Sequence, residues 1–332
     1  MMKGSYKLTV QTAHMKYELE LFRNITILRG DSATGKTVLV EMIQEYNLNG
    51  SDTGIQLSCE KPCRVIAGNT WKEQLVHIEE SIVFIDEGNR FVSSEDFART
   101  IRGSNNYYVI VTRENLDNLP YSVTEIYGIH SSGKYNTAEP VYHHLHRIYP
   151  SDLLRGKEHP NMVIVEDSNA GYEFFEHYYH ESDVNCISAK GSGNIFDMIH
   201  KAYDGNVVVI ADGAAFGAQM GRVFPEIKRR QNIRLYLPES FEWIILSADI
   251  LENSKVRKIL ENPSEFIDGE KYFSWERYFT QLLSDETRGT YLAYVKSSLN
   301  TNYLIGKVYT QIIDSLPEQI KNHCPESSNR NI

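Results

Sequence analysis

Long apolar runs are missing from this chain of 332 residues. No stretch approaches the roughly 20 consecutive apolar residues that a membrane-spanning helix needs. The first six residues contain one basic residue, Lys3, and no apolar core follows it, so the segment lacks the pattern of a secretory signal peptide. We therefore expect a cytoplasmic protein with no membrane partner.

Cysteine is scarce, with four residues in the whole chain. Only Cys59 and Cys63 lie close together, and neither a second pair nor a nearby histidine completes the spacing of a zinc site. We interpret both as ordinary strand cysteines. This usage is typical of a protein in a reducing compartment.

An excess of positive charge is missing too. The net charge of −10 divides into −3 for residues 1–150 and −7 for the remainder. Proteins that bind polyanions through a generic basic surface usually carry the opposite balance. Two local basic clusters, residues 228–230 and 255–258, leave two interpretations open: a solvated helix face, or a contact with nucleic acid.

What the sequence does contain is a complete phosphate-binding loop. An apolar strand, residues 25–29, leads into it and a helix, residues 37–46, leads out, which is the context that the GxxxxGK[ST] motif requires. Backbone N–H groups and the helix N-terminus would hold the phosphates. Lys36 would reach the β- and γ-phosphates, and Thr37 would ligate Mg²⁺. The loop residues are Gly30, Asp31, Ser32, Ala33, Thr34, Gly35, Lys36 and Thr37.

A second apolar strand, residues 81–85, ends in two acids, Asp86 and Glu87. A buried parallel strand would deliver Asp86 to the sheet edge beside the phosphate loop, where it would hold the Mg²⁺ shell. Glu87 would orient or deprotonate the attacking water. Alone, the pair is equally consistent with a turn after a strand, but the phosphate loop upstream favours the nucleotide-binding interpretation.

A third apolar strand, residues 107–111, ends in Thr112 and Arg113. Thr112 would lie near the γ-phosphate as a polar sensor and Arg113 would contact phosphate, an interpretation that competes with that of ordinary strand-end residues. The stretch before this strand predicts a helix over residues 93–102, with Ser93 or Ser94 as its N-cap. Residues 124–145 predict a hairpin.

These motifs resemble the P-loop NTPases that have an additional strand between the two motifs, the group that includes AAA+ and ABC ATPases. The resemblance implies ATP and Mg²⁺ as cofactors and hydrolysis of ATP, with Lys36, Glu87 and Thr112 as catalytic residues. The sequence contains neither the guanine-reading N-K-x-D motif nor the L-S-G-G-Q signature of ABC proteins. A kinase would need a dedicated acceptor site, and no motif indicates one.

The second half alternates strands and helices after a polar, proline-bounded boundary at residues 150–160. This alternation predicts βαβ units and a parallel sheet. Glu166 follows the first strand and Asp212 follows the third, and two carboxylates at such a sheet edge predict a Mg²⁺ site. The expected strands are residues 162–165, 185–189, 207–211 and 233–237, and the expected helices are residues 171–180, 195–203 and 219–230.

The order of these elements resembles the Toprim domain of topoisomerases, primases and the overcoming-lysogenization-defect nucleases. The resemblance covers residues 160–250. Glu166 matches the family's first-strand glutamate, and residues 191–194 match its glycine-rich turn with Asn. Residues 239–242 match the glutamate-rich start of the helix after the fourth strand in the nuclease branch.

One position departs from the Toprim pattern. The D-x-D after the third strand is matched by Asp212 alone, because position 214 is Ala. Losing a carboxylate lowers the expected metal affinity and makes two-metal chemistry doubtful. Asp167, Glu239 and Glu242 are candidate replacements. Otherwise the domain would bind or scaffold without cutting.

The combined prediction is an α/β protein with two domains. An N-terminal P-loop NTPase domain with a parallel sheet, residues 1–150, precedes a Toprim-like α/β domain, residues 160–250. A helical, aromatic-rich extension over residues 251–324 and a polar, disordered tail over residues 325–332 follow.

Two functions are consistent with this organisation. The first is an ATPase that drives a metal-dependent, nuclease-type domain acting on nucleic acid, and the resemblance implies a setting in antiviral defence. The alternative is a nucleotide-sensing regulator whose degenerate Toprim-like domain recruits a protein partner. A homo-oligomer is expected in either case.

Overall fold

The computed structural model describes residues 2–30, 34–132, 141–156, 158–202 and 205–321. The chain divides into two compact units. Unit 1 comprises Met1–Pro150 and Asn262–Ser274, and unit 2 comprises Ser151–Glu261 and Trp275–Ile332. Within the described ranges, no helix combines the length and the apolar character needed to cross a bilayer.

Unit 1 is built around one large sheet. Its strands are β1 (Tyr6–Gln11), β2 (Met15–Leu21), β3 (Ile25–Leu28), β4 (Gln56–Cys59), β5 (Cys63–Val65), β6 (Ile82–Ile85), β7 (Tyr107–Val111), β8 (Ile126–Ser132) and β9 (Val141–Arg147). Its helices are α1 (Lys36–Asn49), α2 (Trp71–Leu75) and α3 (Glu95–Ile101).

The described strands of unit 1 lie in the order β4-β1-β2-β9-β8-β3-β7-β6-β5. The block β8-β3-β7-β6-β5 is parallel throughout, and β2 is parallel to β9. However, β1 pairs antiparallel with β2 and β4, and β8 pairs antiparallel with β9. The prediction of a parallel sheet is therefore corrected to a mixed sheet with a parallel block. The predicted hairpin is confirmed as β8 and β9, although residues 133–140 lie outside the described part.

The centre of this sheet forms from apolar runs that are buried along their whole length. Every residue of β3, β6 and β7 is buried, as is usual for parallel strands inside a sheet. By contrast, β1 alternates buried Leu8 and Val10 with more exposed neighbours, which is the pattern of an antiparallel strand with one covered face. Because β7 lies between β3 and β6, the carboxyl ends of these three strands share one edge.

Two helices of unit 1 begin at the sites that the sequence indicates. Helix α1 starts at the end of the phosphate loop and packs Leu39 and Ile43 into the core of unit 1. Helix α3 starts after Ser94, whose Oγ accepts a hydrogen bond from the Phe97 N–H at 3.1 Å. Ser94, and not Ser93, is therefore the N-cap.

A segment from the second half of the sequence, Asn262–Ser274, belongs to unit 1. The Gly4 N–H donates to the Ser264 carbonyl at 2.7 Å, and the Asn24 side-chain amide donates to the Phe273 carbonyl at 3.1 Å. The region expected to be a helical extension, residues 251–324, is thus divided between the two units.

Unit 2 contains a smaller sheet surrounded by most of the helices of the second half. Its strands are β10 (Met162–Val165), β11 (Asn185–Ser188), β12 (Val207–Ile210) and β13 (Ile233–Tyr236). Its helices are α4 (Ala170–Tyr179), α5 (Ile195–Lys201), α6 (Met220–Arg229), α7 (Phe241–Ser247), α8 (Ser254–Glu261), α9 (Trp275–Thr287) and α10 (Gly306–Ser315).

The sheet of unit 2 has the order β11-β10-β12-β13, and every pair is parallel. The predicted alternation of strands and helices and the predicted parallel sheet are confirmed. The chain passes from β10 to β11 on one side and then crosses to β12 on the other, so the strand order reverses between β10 and β12. Open α/β sheets place their sites at the carboxyl ends of strands at such a reversal.

Gly213 fixes the backbone directly after Asp212. A Cβ at this position would lie 2.5 Å from the Leu237 carbonyl oxygen and 2.9 Å from that of Pro238. The Gly213 N–H also donates to the Pro238 carbonyl at 2.6 Å. The loops after β12 and β13 therefore touch through their backbones.

The predicted tail, residues 325–332, lies outside the described residues.

Candidate nucleotide and metal sites

The phosphate loop begins at the carboxyl end of β3 and runs into α1. The Lys36 side chain is only 5% exposed. Its Nζ donates to the Gly30 carbonyl at 3.1 Å and to Thr34 Oγ1 at 2.7 Å. The ammonium is thus folded back across the loop. Three loop residues lie outside the described part of the chain: Asp31, Ser32 and Ala33.

Gly35 is the N-cap of α1 and has φ +86°. A Cβ here would lie 2.6 Å from Tyr17 Oη and 3.5 Å from His143 Cε1, so the position requires glycine. Tyr17 Oη donates to the Gly35 carbonyl at 3.0 Å, and its ring stacks on that of His143 with 4.3 Å between centroids. Burial lowers the pKa of His143. Motif reasoning missed both residues, which come from β2 and β9.

Thr37 and Asp86 meet at the same sheet edge. The Thr37 hydroxyl donates to Asp86 Oδ1 at 3.3 Å. A hydroxyl and one carboxylate are the protein ligands that Mg²⁺ takes in P-loop proteins, where phosphate oxygens and water fill the remaining positions. Because the hydrogen bond brings both oxygens within reach of a single ion, these two residues fit Mg²⁺ that binds together with a nucleotide.

Glu87 and Arg113 line a recess of about 250 Å³ that is otherwise bounded by residues 34–38. Arg113 Nε lies 2.8 Å from Glu87 Oε1, with the side chains 53% and 38% exposed. An ion pair this exposed contributes less than about 1 kcal/mol, so Glu87 can turn towards a ligand at little cost. The Thr112 hydroxyl accepts the Glu114 N–H at 3.0 Å, and Thr112 is not among the described residues that line the recess.

In unit 2, Glu166 and Asp212 lie side by side beyond β10 and β12. Glu166 Oε2 accepts the Asp212 N–H at 2.9 Å, so the structure brings the two carboxylates together. Burial raises the pKa of Glu166 to about 7, and the charge of Glu276 adds to the shift. Burial also raises the pKa of Asp212 well above its usual range, helped by the carboxylates of Glu276 and Glu166.

Asp167, a candidate to replace the carboxylate that position 214 lacks, has a different role. The Asp167 carboxylate accepts the N–H groups of Ser168, Asn169 and Gly171 at 2.7, 3.1 and 2.9 Å. It therefore caps the N-terminus of α4, where backbone donors favour negative charge. Ala214 is itself buried, 2% exposed.

Two more carboxylates and one ammonium complete the surroundings of Asp212. Lys296 Nζ lies 2.5 Å from Glu276 Oε1 and 4.0 Å from Glu242 Oε1. Burial lowers the pKa of Lys296, but the charges of Glu242, Glu276 and Asp212 outweigh it and raise the pKa above the ordinary value. Glu242 was a candidate from the sequence, whereas no motif marks Glu276 or Lys296. The term acidic recess is used below for four residues: Glu166, Asp212, Glu242 and Glu276.

The acidic recess does not fit a Mg²⁺ ion. The void beside Glu166 and Asp212 has a volume of about 10 Å³, whereas Mg²⁺ usually keeps several of its waters. The ammonium of Lys296 already lies among the carboxylates. Across the described ranges, no group of three or more His, Cys, Asp or Glu side chains could hold a metal ion. No metal-dependent step follows from this arrangement.

No protein-family model matches this chain, and no curated protein is significantly similar to it. The geometry of the two sites is therefore the basis for assigning a function.

The raised carboxyl pKa values predict that unit 2 loses stability as the pH rises. The folded chain holds the Glu166 proton up to about pH 7, above the ordinary value of 4.5. The resulting stabilisation is fully present below the unfolded pKa and is lost as the pH rises through the folded pKa. Gln at this position can still accept the Asp212 N–H but cannot titrate. The free energy of unfolding, measured by urea denaturation at about pH 5 and about pH 8, should therefore fall less in Glu166→Gln than in the parent chain.

The control is Glu181→Gln, which removes an exposed carboxylate of the same unit. It should leave the pH dependence unchanged. An identical pH dependence in Glu166→Gln and the parent chain would show that Glu166 ionises normally.

Proposed function

We propose that unit 1 binds a nucleoside triphosphate together with Mg²⁺ and hydrolyses it, and that the nucleotide is ATP. The phosphate loop, a hydroxyl–carboxylate pair and an acidic side chain converge at one sheet edge, which supports this function. The position of β7 between β3 and β6 agrees with the resemblance to ATPases that have an additional strand. ATP is preferred over GTP because the sequence lacks a guanine-reading motif.

The hydrogen bond between Thr37 and Asp86 carries the proposal. The two residues come from different motifs, 49 positions apart, and their side-chain oxygens lie 3.3 Å from each other. If the loop were a surface turn that matched the motif by chance, no physical reason would bring its last residue to the end of β6. The contact is the arrangement that joint binding of Mg²⁺ by both motifs requires.

Lys36 would recognise the phosphates. Among the described residues its ammonium contacts Gly30 O and Thr34 Oγ1. A hydrogen bond between an ammonium and a phosphate, both of them charged, is stronger than one to a neutral oxygen. Lys36 would therefore exchange these two contacts for the β- and γ-phosphate oxygens.

Glu87 would act on the attacking water. Its carboxylate is in the recess beside the loop, where it forms an exposed ion pair with Arg113. After turning from Arg113, it could orient the water and accept its proton. Bound Mg²⁺ would neutralise charge on the phosphate oxygens.

The first test is nucleotide binding by Lys36→Ala. Removal of the ammonium should weaken ATP binding by about 10- to 100-fold, the value of a charged hydrogen bond. Isothermal titration with Mg²⁺ and a non-hydrolysable ATP analogue measures the change. Lys72→Ala, which removes an exposed lysine paired with Asp96, is the matched control and should bind normally. Equal affinity in Lys36→Ala and the parent chain would refute the phosphate site.

The second test separates hydrolysis from binding. Glu87→Gln should bind ATP with about the parent affinity and release phosphate about 10²- to 10⁴-fold more slowly, because the general base is lost. Glu114→Gln alters an exposed neighbouring carboxylate and should hydrolyse ATP at the parent rate. Full hydrolysis by Glu87→Gln would remove Glu87 from the catalytic role.

For unit 2, we propose a Toprim-like domain that does not cleave nucleic acid, which makes the whole protein a nucleotide-sensing regulator. The observation that favours this function over the nuclease is Lys296 among the carboxylates of the acidic recess. The small void beside Glu166 and Asp212 also leaves little room for a hydrated ion. The output would then be a change in self-association or in the binding of a protein partner, controlled by the nucleotide.

The regulator and the nuclease predict different results with nucleic acids. With ATP and either Mg²⁺ or Mn²⁺, the full chain should leave plasmid DNA and tRNA intact in a gel assay. Its molar mass by light scattering should change when nucleotide is added, and Lys36→Ala should abolish that change. Cleavage that is lost in Glu166→Gln would instead support the nuclease.

A further inference from the structure

The acidic recess brings four carboxyl groups close to one ammonium. Lys296 Nζ forms an ion pair with Glu276 Oε1 at 2.5 Å and lies 4.0 Å from Glu242 Oε1. Asp212 and Glu166 complete the cluster through the Asp212 N–H. Like charges this close in a poorly hydrated site repel strongly unless a cation or bound protons compensate for them.

Glu242 gives an independent indication that the recess requires a cation. Its side chain is 1% exposed, and its Oε1 accepts the Tyr294 hydroxyl at 2.8 Å. Among the described residues its Oε2 has no hydrogen-bond partner. A carboxylate buried in this way is costly unless it is paired, and Lys296 is the cation that faces it.

The position of Lys296 is fixed by its backbone as well as by its ammonium. Its carbonyl accepts the Ala170 N–H at 3.3 Å, and three residues later the Leu299 N–H donates to Glu173 Oε2 at 2.7 Å. Both partners belong to α4. The turn that carries Lys296 is therefore held against the helix that begins beside Glu166. This contact fixes where the lysine leaves the backbone, although its side chain is 36% exposed.

We propose that the Lys296 ammonium is the resident cation of the acidic recess, in the place where a Toprim-like site would hold a divalent metal ion. Unit 2 then takes up no Mg²⁺ or Mn²⁺ while Lys296 is present. This inference deepens the proposal of a non-cleaving unit 2 and is independent of the nucleotide chemistry of unit 1.

Removal of the ammonium should convert the recess into a metal site. Lys296→Met leaves Asp212, Glu242 and Glu276 without their cation. Because the side chain at this position is 36% exposed, an uncharged methionine, which no carboxylate attracts, can turn out to solvent and free the volume that the ammonium occupies. Their oxygens are hard ligands of the kind that Mg²⁺ and Mn²⁺ take. The variant should therefore gain one divalent-ion site that the parent chain lacks.

The experiment is a titration of the full chain with Mn²⁺ in the absence of nucleotide. Calorimetry and the decrease of the spin-resonance signal of free Mn²⁺ measure how much of the ion is bound. An Asp86→Asn background removes the carboxylate that contacts Thr37 beside the phosphate loop, so that an ion held there does not contribute. In that background, the chain with Lys296 should bind no Mn²⁺ up to about 1 mM, the weak end of protein sites for hard divalent ions. Lys296→Met should bind one ion at least about tenfold more tightly than this limit.

Three further variants assign the gained site. Lys255→Met removes a surface lysine paired with Glu286 in the same unit and should bind no Mn²⁺. Lys296→Arg retains a cation and should also bind none. Adding Asp212→Asn to Lys296→Met should abolish the gained binding, which would locate it in the acidic recess.

Two results would overturn the inference. One is Mn²⁺ binding by the chain that retains Lys296, at one ion per chain and lost in Glu166→Gln. The other is a folded Lys296→Met, checked by circular dichroism, that gains no Mn²⁺. If Lys296→Met does not fold, Lys296→Gln removes the same charge and takes its place in the titration. The experiment measures ion uptake by unit 2 and involves neither nucleic-acid cleavage nor ATP binding. Failure of this inference can therefore be distinguished from failure of the proposed function.

Discussion

A carboxylate at the end of a buried parallel strand must have a cation or hydrogen-bond donors nearby, and this constraint organises both units. Removing such a group from water costs several kcal/mol unless it is compensated. In unit 1, Asp86 accepts a hydrogen bond from Thr37 beside a recess that is open to ligands. In unit 2, Glu166 and Asp212 lie beside a nearly filled void and share their surroundings with Lys296. The same sheet geometry thus leads to two different electrostatic solutions.

The features that could be predicted from the sequence are those with a local cause. Fully buried strands such as β6 and β12 appear as short apolar runs, and their ends fix the positions of Asp86 and Asp212. The strand and helix on either side of the GxxxxGK[ST] motif, and the alternation in unit 2, follow from motif and period alone. The N-cap of α3 was also local, but two adjacent serines satisfied the same rule, and only the contact between Ser94 and Phe97 distinguishes them.

The features that could not be predicted depend on contacts between distant parts of the chain. The alternation of Tyr17 and Leu19 with charged residues is a strand signal, but nothing local shows that β2 joins the parallel block through β9. The return of Asn262–Ser274 to unit 1 rests on hydrogen bonds such as that from Gly4, far away in sequence. The counter-ion of the acidic recess is also distant in sequence: Lys296 lies in a turn after α9 that has no motif. Without it, the acids of the recess suggested a metal site.

The contrast between the two sites determines where ions can act on this protein. On the proposed function, Thr37 and Asp86 would supply one hydroxyl and one carboxylate, so a divalent ion there would depend on phosphate oxygens and water to complete its coordination. Ion binding and nucleotide binding in unit 1 would therefore be coupled, with each strengthening the other. The cation of unit 2 is part of the chain and cannot dissociate, so the charge of the acidic recess does not follow the free metal concentration. Divalent ions would then act on the protein only when they bind together with the nucleotide in unit 1. A nucleotide sensor requires this property, whereas a metal-activated nuclease would respond to the metal ion directly.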